Sequence, residues 1–272
     1  MSADDHASSF VGSIPDAYDM FLVPLLFEPY ARELVARLGH VVSGDLLELA
    51  AGTGAVTREL ALTLPASVQI VATDLNQPML DQAASREIAR PVEWQQADAQ
   101  QLPFADASFD VAVCQFGVMF FPDRRGAYAE VMRVLRPGGR FLFDVWTSVA
   151  DNELGGLASS TVAAMFPDDP PRFVERVPHG YHDPAQITAD LRAGGFAGSI
   201  TIDVVDQRSR AATCRQVAQG FCLGTPIRNE IMARDPGRLD EAVELVTAAV
   251  SARWGEIDID AKMQALVVTA HP

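Results

Sequence analysis

The fold of this chain is set by Leu46-Leu47-Glu48-Leu49-Ala50-Ala51-Gly52-Thr53-Gly54-Ala55-Val56-Thr57. The leucine-rich start reads as a short strand buried on both faces. An acid closes it, two glycines follow two residues apart, and an apolar helical segment begins. Glycines let the backbone turn sharply and bring main-chain N–H groups up to a ligand. The rest of the chain then reads as further walls of the crevice above this turn.

Outward from the turn, strand and helix alternate. Val68–Asp74 reads as a β-branched strand ending in an acid, Val92–Gln96 as a short strand just before Asp98, and Phe109–Gln115 as a buried one. Arg140–Trp146 follows the turn Arg136-Pro137-Gly138-Gly139. Helices are predicted over Val56–Leu64, Met79–Ala89 and Arg124–Leu135. Such alternation implies a parallel sheet with helices on both faces, and ligands beyond the carboxyl ends of the strands. Glu48, Asp74, Asp98 and Gln115 all lie at those ends. Upstream, Ile14-Pro15-Asp16 opens a helical cover over 14–44, broken by Pro24 and Pro29, and residues 1–13 read as a tail. Downstream, residues 147–180 and 207–260 read as cap insertions, with helical stretches at Ala211–Leu223 and Arg238–Ala252. Short strands are predicted at Ser199–Val205 and Ala265–Ala270. The whole of 1–272 reads as one domain with a core at 45–146.

The bulk composition narrows the function. The 272 residues carry 21 basic and 36 acidic side chains, a net charge of −15. Such a chain repels polyphosphate, which disfavours a nucleic-acid partner. No apolar run is long enough to span a bilayer, and the start lacks the basic region of a secretory signal. Cys114, Cys214 and Cys222 are odd in number and widely spaced, which reads as reduced thiols in a cytoplasmic protein without a metal site. A homodimer is left open.

Asp74 lies twenty residues past Gly54, where an acid takes hydrogen bonds from the ribose hydroxyls of an adenosine. The dinucleotide fingerprint needs a third glycine for close helix packing, yet Thr57 stands there. Glu48, just before the glycines, disfavours a pyrophosphate and favours a cation. A nicotinamide reductase is therefore a poor reading, and S-adenosylmethionine a good one.

Glu48-Leu49-Ala50-Ala51-Gly52-Thr53-Gly54 resembles the first motif of the class I S-adenosylmethionine-dependent methyltransferases, with Ala50 where that family usually has glycine. Thr73-Asp74-Leu75 with Pro78-Met79-Leu80 resembles the second. Ala97-Asp98-Ala99-Gln100-Gln101-Leu102-Pro103-Phe104 resembles the third, and Ser108-Phe109-Asp110-Val111 the opening of the fourth. Val134 to Arg140 resembles the turn before strand five. These cover residues 45–146 and are most similar to the small-molecule and quinone-biosynthesis group. The resemblance implies a Rossmann-like, doubly wound, mostly parallel seven-stranded sheet with the last strand antiparallel. It also implies that Glu48, Thr53 and the backbone of Ala50, Gly52 and Gly54 hold the methionine end, and that Asp74 holds the ribose. Leu75 and Met79 would flank the adenine, Asp98 and Ala99 would bond it, and Gln115 and Phe116 would line the methyl end. Tyr18 would close over the donor.

Methyl transfer from a sulfonium needs alignment more than proton transfer, and a base only where the acceptor must lose a proton. His182, in the loop with His179, is the candidate catalytic base; His40 and His271 are more remote. Trp146, Phe166, Phe173, Tyr181, Phe221 and Trp254 suggest a small, largely apolar organic acceptor, methylated on oxygen, carbon or nitrogen. The alternative is a protein that binds S-adenosylmethionine without methylating, pericyclase-like or regulatory.

Overall fold

The computed structural model describes residues 14–39 and 41–272. The tail expected at 1–13, and His40, lie outside the described residues. Seven strands are present: β1 (Gly44–Glu48), β2 (Val68–Asp74), β3 (Glu93–Gln96), β4 (Phe109–Gln115), β5 (Leu135–Trp146), β6 (Ile200–Thr213) and β7 (Ile257–Ala270). Their order in the sheet is β3-β2-β1-β4-β5-β7-β6. The first five pair in parallel, and β7 runs antiparallel to both its neighbours. This is the doubly wound, mostly parallel sheet with its last strand antiparallel that the sequence predicts. Strand order reverses between β1 and β4, and there the loops after the strands part to leave a crevice.

Apolar stripes on the helices fix the layers. On one face, Leu34, Val35 and Leu38 of the N-terminal segment join Val56, Leu60 and Leu64 over Leu46, Ile70 and Val111. These last belong to β1, β2 and β4, and the second trio to α3 (Ala55–Thr63) and the residue after it. On the other face, Tyr128 and Val131 of α5 (Arg124–Val134) and Ile187 and Leu191 of α8 (Pro184–Ala193) cover Phe141 and Phe143 of β5.

The N-terminal cover is less broken than its prolines suggest. After α1 (Ile14–Ala17) the chain runs as a π-helix over Tyr18–Phe27 and on into α2 (Glu28–Ala36). Pro24 sits within the wider π-helical turn, and Pro29 in the first turn of α2, where a missing N–H costs nothing. α4 (Gln77–Ser85) is shorter than expected.

The larger departure is in the second half. The β6–β7 ladder keeps one register from Ile200 opposite Ala270 to Thr213 opposite Ile257, so the strands are about twice the expected length. Their outer half rises clear of the parallel sheet and buries one face in the core, with Ile259, Ala261 and Met263 buried while Asp258 and Asp260 are exposed. Ladder bonds and pairs such as Arg208 with Asp260 at 2.5 Å add to this. The hairpin carries three helices, not two: α9 (Cys214–Leu223), α10 (Ile227–Arg234) and α11 (Leu239–Trp254). With α6 (Glu153–Ala164) and α7 (Phe173–Arg176) these roof the crevice. Among the described residues no helix is long and apolar enough to cross a membrane.

Candidate active site

The turn after β1 is clamped by its neighbours. The Leu49 amide donates to Val113 O at 2.9 Å and the Ala51 amide to Thr73 O at 2.8 Å. Between and just beyond these anchors Ala50, Gly52 and Gly54 all take positive φ, at 51°, 56° and 83°. A Cβ on Gly54 would come within 3.2 Å of both Ala83 and Trp94. The second glycine therefore lets α3 and the loop approach β3 and α4.

Ala50 is the strained member, since only glycine adopts left-handed backbone freely. Its methyl is accommodated from across the crevice. A Cβ on Gly117 would lie 2.6 Å from Ala50 Cβ and 2.6 Å from Cys114 Sγ. Gly117 thus supplies the missing volume that the family motif takes from glycine at position 50. Next to it Phe116 also has a positive φ, 47°. Its amide donates to the buried Asp144 Oδ1 at 2.8 Å, which fixes the ring at the crevice wall.

The crevice gathers most of the residues expected to hold the donor. Ala50, Gly52, Asp74 and Leu75 line its floor and one side; Met79, Asp98 and Ala99 line the next; Gln115, Phe116 and Tyr18 close it. The Asp74 carboxylate accepts from the Gly52 amide at 2.8 Å and from the Asn76 amide at 2.8 Å. Burial pushes its pKa up while those amides pull it back. Asp98 Oδ1 accepts from the Gln100 amide at 2.8 Å. Phe120, Phe121 and Pro122, after β4, also line the crevice. Sequence reasoning misses them, because a non-periodic aromatic loop looks like core until its position is known.

Glu48, Thr53 and Gly54 do not line it. Glu48 is buried, and its Oε2 accepts from Thr57 Oγ1 at 2.7 Å. Burial pushes its carboxyl up to about 8, against the pull of Thr57 and Arg58. The acid before the glycines and the threonine in place of a third glycine are thus one feature: a bond that ties the end of β1 to the first turn of α3.

The crevice walls carry two acids and, among the described residues, no lysine or arginine. A pyrophosphate would find no counter-charge there. An adenosine with a cationic tail would find carboxylates for its hydroxyls and charge, and apolar side chains for its base. The residues present fit S-adenosylmethionine.

A second cavity opens off the crevice and shares Tyr18, Phe116 and Phe120 with it. Trp146, Phe173 and Phe221 line it, with Leu22, Leu26 and Met119. The other three expected aromatics are elsewhere. Phe166 lies under Arg238, Tyr181 bonds Asp190, and Trp254 lies under Arg253. His182 is exposed, lines neither cavity and bonds the His179 carbonyl. It is His179 that the fold turns inward: it is buried against the second cavity, with burial lowering its pKa to about 4. Two loop histidines so close in sequence carry no signal to choose between them.

Comparison with known proteins agrees with this geometry. Residues 47–143 match the family model described as "Methyltransferase domain". An uncharacterized protein of Mycobacterium tuberculosis is 36% identical over 121 residues, 44% of this chain and 43% of its own. A ubiquinone/menaquinone biosynthesis C-methyltransferase of Saccharophagus degradans is 39% identical over 116 residues, 41% of this chain and 47% of its own. The chain thus spans less than half the length of these relatives. The solved Haemonchus contortus phosphoethanolamine N-methyltransferase 2 bound to S-adenosyl-L-methionine shares the fold, at TM-score 0.56 and 18% identity, over 95% of this chain and 56% of that one. The matched segment, the strand order and the crevice are together similar to those of the class I S-adenosylmethionine-dependent methyltransferases.

Proposed function

We propose that the chain transfers a methyl group from S-adenosylmethionine to a small, largely apolar organic acceptor held in the second cavity. The observation that carries this is the shared wall. Tyr18, Phe116 and Phe120 border both the adenosine-compatible crevice and the aromatic cavity, so two bound molecules would meet there. Asp74 and Asp98 would hold the ribose and the adenine amine, with Leu75 and Met79 against the ring. The sulfonium supplies a methyl group already activated for in-line displacement, so the chain's task is alignment and exclusion of water. The Tyr18–Phe27 stack, with rings 5.0 Å apart, and the Phe116–Trp146 stack at 3.8 Å supply a rigid, dry meeting point. The relative named as a quinone-pathway C-methyltransferase supports a cyclic, apolar acceptor with carbon as the methylated atom. The three cysteines are all buried and free, in keeping with a cytoplasmic setting.

Labelled donor with a panel of phenols, quinones and amines tests this, and the product's NMR spectrum assigns the methylated atom. Label appearing only in nucleic acid or protein would overturn the acceptor class. Donor binding without transfer to any panel member would return the chain to the non-methylating reading. For the donor site, Asp74→Asn should weaken S-adenosylmethionine binding by ~1–3 kcal/mol, the cost of lost charged hydrogen bonds. Unchanged affinity by calorimetry would remove Asp74 from the ribose.

A further inference from the structure

The second cavity has polar groups on its wall, and several are bonded within the protein. The Asn152 amide nitrogen donates to Ser148 O at 3.0 Å, and its oxygen accepts from the Gln264 amide at 3.0 Å. Ser209 bonds Met263 Sδ at 3.1 Å, and Thr225 bonds Phe221 O at 2.7 Å. Lys262 pairs with Asp206 at 3.3 Å. His179 differs. Its Nδ1 lies 2.8 Å from Thr147 O. A carbonyl only accepts, so Nδ1 carries the proton and Nε2 keeps a bare lone pair. No hydrogen bond to Nε2 is made by the described residues.

The space in front of that lone pair is kept open. Gly155 sits in α6 facing the ring, and a Cβ there would lie 3.6 Å from Nε2 and 3.8 Å from Phe221. Glycine inside a helix costs roughly 1 kcal/mol against alanine, and here its bare Cα leaves a slot between the imidazole and a phenyl ring. The position of His179 also governs how it acts. Phe116 lines both cavities, its ring stacks on Trp146 at 3.8 Å, and the His179 ring lies 6.0 Å from that of Trp146. His179 itself lines only the second cavity, so it grips an acceptor away from the crevice and does not take a proton at the reacting atom.

We propose that His179 is a specificity-determining residue: its Nε2 accepts a hydrogen bond from a hydroxyl group on an apolar, ring-bearing acceptor, at the end of the molecule away from the methylated atom. This deepens, and rests on, the reading of the cavity as the acceptor site. An apolar cavity with an open imidazole acceptor selects a neutral molecule carrying one well-placed donor and disfavours the same skeleton with that hydroxyl capped. Glu175 raises the ring's pKa and His182 lowers it, and burial outweighs both; Lys262 also borders the cavity. The lone pair is therefore available throughout the neutral range.

The test uses the full chain and two probes, 2-naphthol and 2-methoxynaphthalene, by equilibrium fluorescence titration with and without S-adenosylmethionine. The expected result is a preference for 2-naphthol of roughly tenfold. His179→Phe should bring the ratio close to one. Gly155→Ala, which only fills the slot before Nε2, should do the same while leaving the fold intact. In ¹⁵N spectra of the histidines, the unprotonated Nε2 resonance of His179 should move on adding 2-naphthol and not on adding the methyl ether. Equal binding of the two probes, no binding of either, or a preference that survives both substitutions overturns the proposal. Calorimetry with S-adenosylmethionine is independent of His179. Absence of that binding in the wild-type chain would sink the methyl-transfer reading, while the naphthol ratio would still decide the role of the histidine.

Discussion

At the scale of single residues, two positions around the glycine turn carry measurable consequences. Glu48 is a carboxyl raised to about 8 from an ordinary 4.5, chiefly by burial. A raised carboxyl stabilises the fold fully below pH 4.5, less as pH rises, and not at all once pH passes about 8. Glu48→Gln keeps an acceptor for the Thr57 hydroxyl and removes the proton. It should therefore flatten the loss of stability between pH 5 and 9, gaining roughly 3–5 kcal/mol at the alkaline end relative to the acid end. Denaturant melts at both pH values read this, and parallel wild-type and variant curves would show that Glu48 is not buried as described. The second position is the Ala50–Gly117 contact. Gly117→Ala should cost ~1–3 kcal/mol through overpacking, and Ala50→Gly in the same chain should recover part of it by removing one of the two clashing groups. Strict additivity in a double-mutant cycle would mean that the two sites do not share the volume.

At the scale of elements, the π-helix Tyr18–Phe27 is the piece that completes the crevice, because Tyr18 is its first residue. It is held down at one charged point. Asp19 is buried and pairs with Arg58 at 3.7 Å and with Arg86. Arg58 also donates to Thr53 O at 2.7 Å, so the clamp reaches the glycine turn itself. Asp19→Asn should lower stability by ~1–3 kcal/mol and expose the segment near Met20 to protease sooner than the rest of the chain. Donor binding should slow that cleavage, since Tyr18 lines the donor crevice. Cleavage at the same rate with and without donor would show that the segment does not cover the site.

At the scale of the whole molecule, the centre of the parallel half was legible because β2 and β4 are buried along most of their length and say so in their composition. Val68–Asp74 and Phe109–Gln115 appear with the bounds the sequence predicts. The β6–β7 hairpin was read at half its length, although its outer half alternates buried Ile259, Ala261 and Met263 with exposed Asp258 and Asp260. The crevice proposed to hold the donor follows the same division. Asp74, Leu75, Met79, Asp98 and Ala99 are local to strand ends, and a strand end in a parallel sheet has only one place to point. The second cavity is assembled from the N-terminal helix, β5, α6, the His179 loop and the hairpin helices. These lie far apart in sequence, so no local pattern marks which of their side chains meet.

What the sequence determined by itself was the sheet, the turn and which strand-end residues line the crevice: strand burial and the positive φ of a glycine turn are local properties written in residue type. What only the tertiary structure decided was which way buried polar groups face. Glu48 turns from the crevice to Thr57, and His179 turns in while His182 stays out. Ala50 is admitted because Gly117, from another strand's end, makes room for it. Each of these outcomes depends on a partner that the local sequence does not name, and burial energy fixes the choice only once the layers have closed.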